Sequence, residues 1–235
     1  MSFADVLEIL YEDNHLVAIN KPAGWPSAHY DGTDETMDRV VKAYLKEKYG
    51  KPGNVFLGVV HRLDKPVSGV LLFARTSKGA ARLSEQFREN LVEKVYWAVV
   101  ETGAKRLPPA GSFEDWLWKN PAAGGVEVVP AGSPLGKQSL LHYAAKAEHD
   151  GLTLLEIRPQ SGRTHQLRVQ LASRGWPIYG DVKYGSHAGF GPAIGLHARS
   201  IGFFHPTQHE PVTLSADIPK AWRGRFAHLL KAVSG

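Results

Sequence analysis

The stretch Ser139–Ile157, SLLHYAAKAEHDGLTLLEI, decides the fold class. Two strand-forming runs, Ser139–Ala147 and Leu152–Ile157, flank Asp150-Gly151, a dipeptide suited to the positive-φ turn of a tight antiparallel hairpin. Working outward, the pattern recurs. Phe113–Pro130 reads as a hairpin turned by Pro121–Gly125, and Val6–Leu10 and Leu16–Asn20 are β-rich runs parted by Glu12-Asp13-Asn14. Val55–Val60, Gly69–Phe73, Lys94–Val100, His197–Phe204 and Val212–Leu214 complete the expected strands. Apolar residues at helical spacing predict helices around Met37–Leu45, capped by Thr33 with Asp34 and Glu35 in the first turn, and over Thr76–Asn90. Further helices are expected from Thr164, as cap, to about Ser173, and over Ala221–Val233. Helices inserted between hairpins, without regular βαβ alternation, predict an α+β fold with a mixed, mostly antiparallel sheet and flanking helices. With 235 residues and no convincing linker, a single domain over 1–235 is the expectation.

Composition bounds the function. Lys and Arg number 28 against 23 Asp and Glu, a net charge of +5, which mildly favours a polyanionic partner. The absence of cysteine excludes disulfides, thiolate nucleophiles and Cys-based zinc sites. The histidines show no metal-ligand spacing, and no stretch has the roughly 20 apolar residues of a membrane span. A soluble, cytoplasmic protein is expected. The P-loop, dinucleotide-binding, H-E-x-x-H and G-x-S-x-G motifs are all missing.

Three residues are candidates for chemistry. Asp64 sits in His61-Arg62-Leu63-Asp64-Lys65-Pro66, a polar turn between two apolar runs, where basic neighbours favour the ionised carboxylate. Arg168 closes Gly162-Arg163-Thr164-His165-Gln166-Leu167-Arg168, whose donors at a helix start suit phosphate or carboxylate recognition. Tyr96 alternates with Lys94 and Ala98 on one strand face. Taken singly, each also fits an ordinary turn, a solvated helix face or a packed strand, and spacing alone leaves these alternatives open.

Together the segments resemble the RluA family of pseudouridine synthases. Asn20-Lys21-Pro22-Ala23-Gly24 is similar to the family's N-K-P-x-G, and His61–Asp64 with Ser68–Leu72 to its H-R-L-D-x-x-x-S-G-hydrophobic motif. Lys94–Tyr96 is similar to its K-x-Y, and Gly162–Arg168 to G-R-T-H-Q-hydrophobic-R. Pro177–Asp181 with Tyr184-Gly185 matches P-I-hydrophobic-G-D-x-x-Y-G, and Leu196–Ala198 with Phe204–Pro206 matches L-H-A…F-H-P. The matches keep family order from about residue 16 to 206, with two departures: Val67 where the family usually has Thr, and Gln170 where it usually has His.

The resemblance implies the pseudouridine synthase catalytic fold with a central basic cleft. It implies isomerisation of specific uridines in rRNA or tRNA by a monomer needing neither cofactor nor metal. Asp64 would meet the C1′ centre, Arg168 would pair with Asp64, Tyr96 would stack on the base, and Arg62 would fill the place of the flipped nucleotide. Lys21, His61, Arg163 and His165 would contact the RNA. With the matches starting near residue 16, no separate S4-like RNA-binding domain is expected. The competing readings are an RNA-binding or ribosome-assembly protein on the same fold without turnover, and, more distantly, a small-molecule glycosidase.

Overall fold

The structure, a computed structural model, describes residues 7–28, 35–122 and 124–233. The chain forms two compact units, 1–94 with 198–218, and 95–197 with 219–235.

In the first unit, Ile9–Glu12 (β1) pairs antiparallel with Leu16–Lys21 (β2), and β2 with Ser68–Ala74 (β4). All seven residues of β4 are buried, the expected consequence of its continuous apolar run. Gly69 is glycine there for a reason: at φ +115° it passes so close to the Ala198 backbone that a Cβ would lie 2.2 Å from that carbonyl oxygen. Leu196–Phe204 (β10) neighbours β4 and pairs with Pro211–Ser215 (β11). The expected strand over Val55–Val60 shrinks to Gly58–Val59 (β3), paired with Ala74 and Phe73, because β2 and β10 already take the rest of β4's edges.

Met37–Lys48 (α1) follows Thr36 as N-cap, while the expected cap Thr33, with Asp34 and Val6, lies outside the described residues. Ser77–Arg88 (α2) falls within the expected Thr76–Asn90, with Thr76 as its cap, Oγ1 accepting from the Gly79 N–H. Its Leu83 joins Leu16, Ala18, Val70, Leu72 and Phe203 in the core of this unit.

In the second unit the strand order is Glu93–Glu101 (β5), Leu152–Pro159 (β9), Lys137–His149 (β8), Ala110–Asn120 (β6) and Gly125–Val129 (β7). The registered pairings are antiparallel. Asp150 and Gly151, at φ +49° and +70°, make the hairpin turn between β8 and β9. The fold is thus α+β with a mixed, mostly antiparallel sheet.

Two helix expectations are corrected. Gln166–Ala172 (α3) is capped by His165 in the left-handed region at φ +51°, not by Thr164. The closing helix is two short ones, Lys220–Arg225 (α4) and Ala227–Lys231 (α5), broken at Phe226. That residue leaves helical geometry (φ −115°, ψ 27°), its ring lying among Tyr179, Phe190 and Trp222. No described helix is long and apolar enough to cross a membrane.

Candidate active site

Asp64 lies on a turn that the first unit holds from several sides. Lys21 is fully buried at the end of β2, and its ammonium donates to the carbonyls of Pro22 (2.9 Å), Trp25 (2.8 Å) and Lys65 (3.2 Å). The Lys65 carbonyl also accepts the Gly24 N–H at 2.8 Å. One residue before Asp64, Leu63 exchanges two bonds with Ser27: its N–H donates to Oγ at 2.9 Å and its carbonyl accepts from Oγ at 2.7 Å. Val67 N–H closes the turn on the Asp64 carbonyl at 3.0 Å. Leu63 and Val67 point into the core, while Asp64 is partly exposed and Arg62 and Lys65 are exposed. The carboxylate therefore sits on a backbone with little freedom. Val67 is only 2% exposed, so the family's Thr hydroxyl is absent from an apolar position.

Lys21 and His61 are both engaged inside the first unit. All three protons of the Lys21 ammonium have carbonyl acceptors inside the fold, leaving none directed to a phosphate. Burial pulls this amine down to about 7, with the Asp64 carboxylate opposing the shift. His61 stacks on Phe87 with ring centroids 5.0 Å apart, and its Nε2 accepts the Leu72 N–H at 2.9 Å. Burial, reinforced by the Lys94 charge, pushes the imidazole down to about 3, so the ring is neutral and architectural at ordinary pH. Burial lowers the Lys94 amine as well.

In the second unit, α3 carries Arg168 inward. Its entry loop is organised by Gln166, whose Oε1 accepts from Ser161 Oγ (2.9 Å) and the Arg163 N–H (3.1 Å) while Nε2 donates to the Leu140 carbonyl at 3.1 Å. Arg168 is 5% exposed and donates through Nε and Nη2 to the two oxygens of Asp181, at 2.7 and 2.8 Å. Its guanidinium lies over the Tyr184 ring, 5.0 Å from the centroid. The Tyr184 hydroxyl meets His165 Nδ1 at 2.7 Å and accepts the Val126 N–H at 3.1 Å. His165 and Arg168 therefore converge on one phenol, although His165 is the cap and not a helical residue. Tyr96, half-buried on β5, pairs in register with Ile157. Arg163 is exposed.

Gln170, fully buried, donates to Asp115 Oδ2 at 2.7 Å and to the Phe113 carbonyl at 3.2 Å. Its own Oε1 has no partner among the described residues. Arg174 grips Asp115 through both nitrogens, so the Asp115 carboxylate is shared between the two residues.

Sequence reasoning gave no role to Asp181 and Tyr184, although both stand in the quoted P-I-Y-G-D-x-x-Y-G segment. A carboxylate and a phenol at fixed spacing after a glycine were the available signal. Gly180, at φ +83°, has no room for a Cβ, which would lie 2.6 Å from that of Phe190.

Residues 15–173 match the RNA pseudouridylate synthase family. The chain belongs to that family. As a synthase it falls among the isomerases, and the quoted motif set places it with the RluA group. It is 33% identical over 246 residues to the tRNA pseudouridine synthase C of Haemophilus influenzae, covering 93% of this chain and 95% of that protein. It is 32% identical to the ribosomal large subunit pseudouridine synthase C of Buchnera aphidicola, over 94% of this chain and 70% of that one. The tRNA pseudouridine synthase C of Pectobacterium carotovorum is 33% identical, and the synthase spans 62% of its length. Among solved structures, human RNA pseudouridylate synthase domain containing 4 superposes with a TM-score of 0.76 at 26% identity, over 97% of this chain and 93% of that one.

Proposed function

We propose that the synthase isomerises selected uridines of tRNA or rRNA to pseudouridine, with Asp64, Tyr96 and Arg168 as its catalytic residues. The reaction breaks the N1–C1′ glycosidic bond, turns the uracil and forms C5–C1′; C5 gives up its proton to solvent and N1 takes one up, so the atoms balance. It is redox-neutral and calls for no cofactor. Bond cleavage builds positive charge at C1′, which a carboxylate is suited to meet, as in glycoside hydrolysis. The observation that carries this reading is the pinning of the Asp64 turn: Lys21 on the Lys65 carbonyl, Ser27 on both polar groups of Leu63, and Val67 on the Asp64 carbonyl. A nucleophile or base held on so fixed a turn needs little reorganisation in the transition state.

Arg168 would orient the carboxylate, with Asp181 holding the guanidinium. Tyr96 would stack on the uracil and assist loss of the C5 proton. Because a stacked base is unreachable, the nucleotide is flipped out, and exposed Arg62 takes its place. Arg163 and His165 are the proposed RNA contacts. A cytoplasmic monomer is the proposed state.

The test is pseudouridine formation on in vitro tRNA and rRNA transcripts by wild type and by Asp64→Ala. Loss of turnover with RNA affinity retained supports the assignment. Substantial residual turnover sinks it, and binding without turnover in the wild type points to a non-catalytic RNA-binding protein.

A further inference from the structure

The second unit carries a groove that the proposed chemistry does not use. It encloses about 400 Å³, ample for part of a nucleotide, and lies between the ends of β6 and β8 and the turn that leads into α3. Lys119, Lys137 and Arg163 line it together with Trp118, Leu135 and Thr164, and none of its lining residues is acidic. Two carboxylates on β6 and β7 are already engaged: Glu127 accepts from the Asn120 amide at 3.0 Å, and Glu114 accepts from Gln138. Leu135 is 60% exposed beside these cations, and Lys119 shares its strand face with Leu117, which lies opposite Lys137 in the register. Cations beside an exposed aliphatic side chain suit a nucleic-acid strand, whose phosphates meet the charges while a base lies on the apolar surface.

We propose that this groove binds single-stranded nucleotides of the substrate RNA, flanking the segment that enters the active site. The inference rests on the reading of the protein as an RNA-modifying enzyme. Arg163 and Thr164 occupy the turn immediately before α3, so a strand in the groove runs toward the helix that bears Arg168. Lys119 and Lys137 come from β6 and β8, and their exposed side chains bring charge to the rim without a structural partner role of their own among the described hydrogen bonds. Leu135 supplies the apolar surface on which a base can lie.

The test measures binding of a fluorescein-labelled uridine oligonucleotide of about twelve nucleotides across a series of KCl concentrations, a length within known single-strand footprints. The Lys119→Ala/Lys137→Ala double variant is expected to bind at least about tenfold more weakly at low salt. Its slope of log affinity against log salt should fall by about 1.4, since each single-strand phosphate contact contributes about 0.7. Leu135→Ser is expected to weaken binding by about threefold while leaving that slope unchanged, as an uncharged contact requires. Hydrogen exchange of wild type should slow over residues 117–119 and 135–137 when the oligonucleotide is added, a readout independent of how the variants fold.

Unchanged affinity and slope in the double variant, or no protection of those segments, overturn the proposal. So does loss of a poly-glutamate peptide by the double variant with its RNA slope intact, which assigns the groove to an acidic protein segment. Turnover of transcripts by wild type, measured in parallel, separates the two readings. Turnover without groove binding removes the groove alone, and groove binding without turnover removes the catalytic assignment alone.

Discussion

Asp181 grips Arg168 through both carboxylate oxygens, at 2.7 and 2.8 Å, with side chains only 1% and 6% exposed. A bidentate, buried pair fixes the plane of the guanidinium as well as its charge. Asp181→Asn keeps the shape but removes the charge and one acceptor. Removing a partner from a buried pair costs about 3–5 kcal/mol, and Asn's remaining oxygen places the expected loss at the lower end. Turnover should fall by about 100-fold, the scale of a small misplacement of a catalytic group. Urea unfolding and single-turnover rates check both, and an Asp181→Asn enzyme with wild-type values for both would remove Asp181 from any positioning role.

Gly69→Ala is expected to be among the most damaging single changes in the first unit. The added Cβ would lie 2.2 Å from the Ala198 carbonyl oxygen, and φ +115° is disfavoured for any L side chain. Backbone strain and overpacking together cost roughly 2–6 kcal/mol. The melting temperature of the purified variant is the measurement, and a change of less than a few degrees would mean that β4 and β10 can move apart cheaply.

How much of this was legible beforehand depends on the range of the interactions concerned. The Asp150-Gly151 hairpin, buried β4 and α2 follow from residues within a few positions of one another, and each stands where its local pattern puts it. The cap of α3 does not. His165 takes a left-handed conformation in a loop that Gln166 ties to Leu140, 26 residues away, so the local Thr164 signal lost to a distant bond. The break at Phe226 likewise answers to aromatic rings at Tyr179 and Phe190. At the candidate site, the resemblance implied RNA contacts for Lys21 and His61. Their partners are backbone groups at Lys65 and Leu72, and a pairing across 44 residues has no local signature. Asp181 was in plain view in its motif, but its role became visible only with Arg168 beside it.

His61 gives the acid side of the stability profile a specific origin. Its imidazole falls from an ordinary 6.5 to about 3 in the folded protein, so between those values the unfolded chain binds a proton that the folded chain refuses. Stability should therefore drop as pH falls from about 6.5 toward 3. Asp13 adds a further loss at the lower end, since, against the upward pull of burial, bonds from His15, Leu16, His205 and Tyr11 hold its carboxyl below the usual range. His61→Gln retains an acceptor for the Leu72 N–H but cannot titrate. Denaturant midpoints measured from pH 7 to 4 should fall less steeply for this variant than for wild type, and parallel curves would show that His61 is not the group responsible.

Lys21 separates an architectural lysine from an RNA-binding one. Lys21→Met removes three bonds to the carbonyls that shape the Asp64 turn, so turnover should fall although Asp64 itself is untouched. The loss of stability should be modest near neutral pH, because burial already pulls the wild-type amine down to about 7 and the variant escapes that cost. Above neutrality the unfolded wild-type chain keeps a proton on this amine that the folded chain releases, so wild-type stability gains a contribution as pH rises from about 7 toward 10.5, and Lys21→Met lacks it. The salt dependence of RNA binding decides the question. A lysine on a phosphate contributes roughly 0.7–0.9 to the slope of log affinity against log salt, whereas one bonded wholly within the fold contributes nothing. Equal slopes for wild type and Lys21→Met, with slower turnover in the variant, fit the architectural role, and a slope reduced by about one would return Lys21 to the RNA interface.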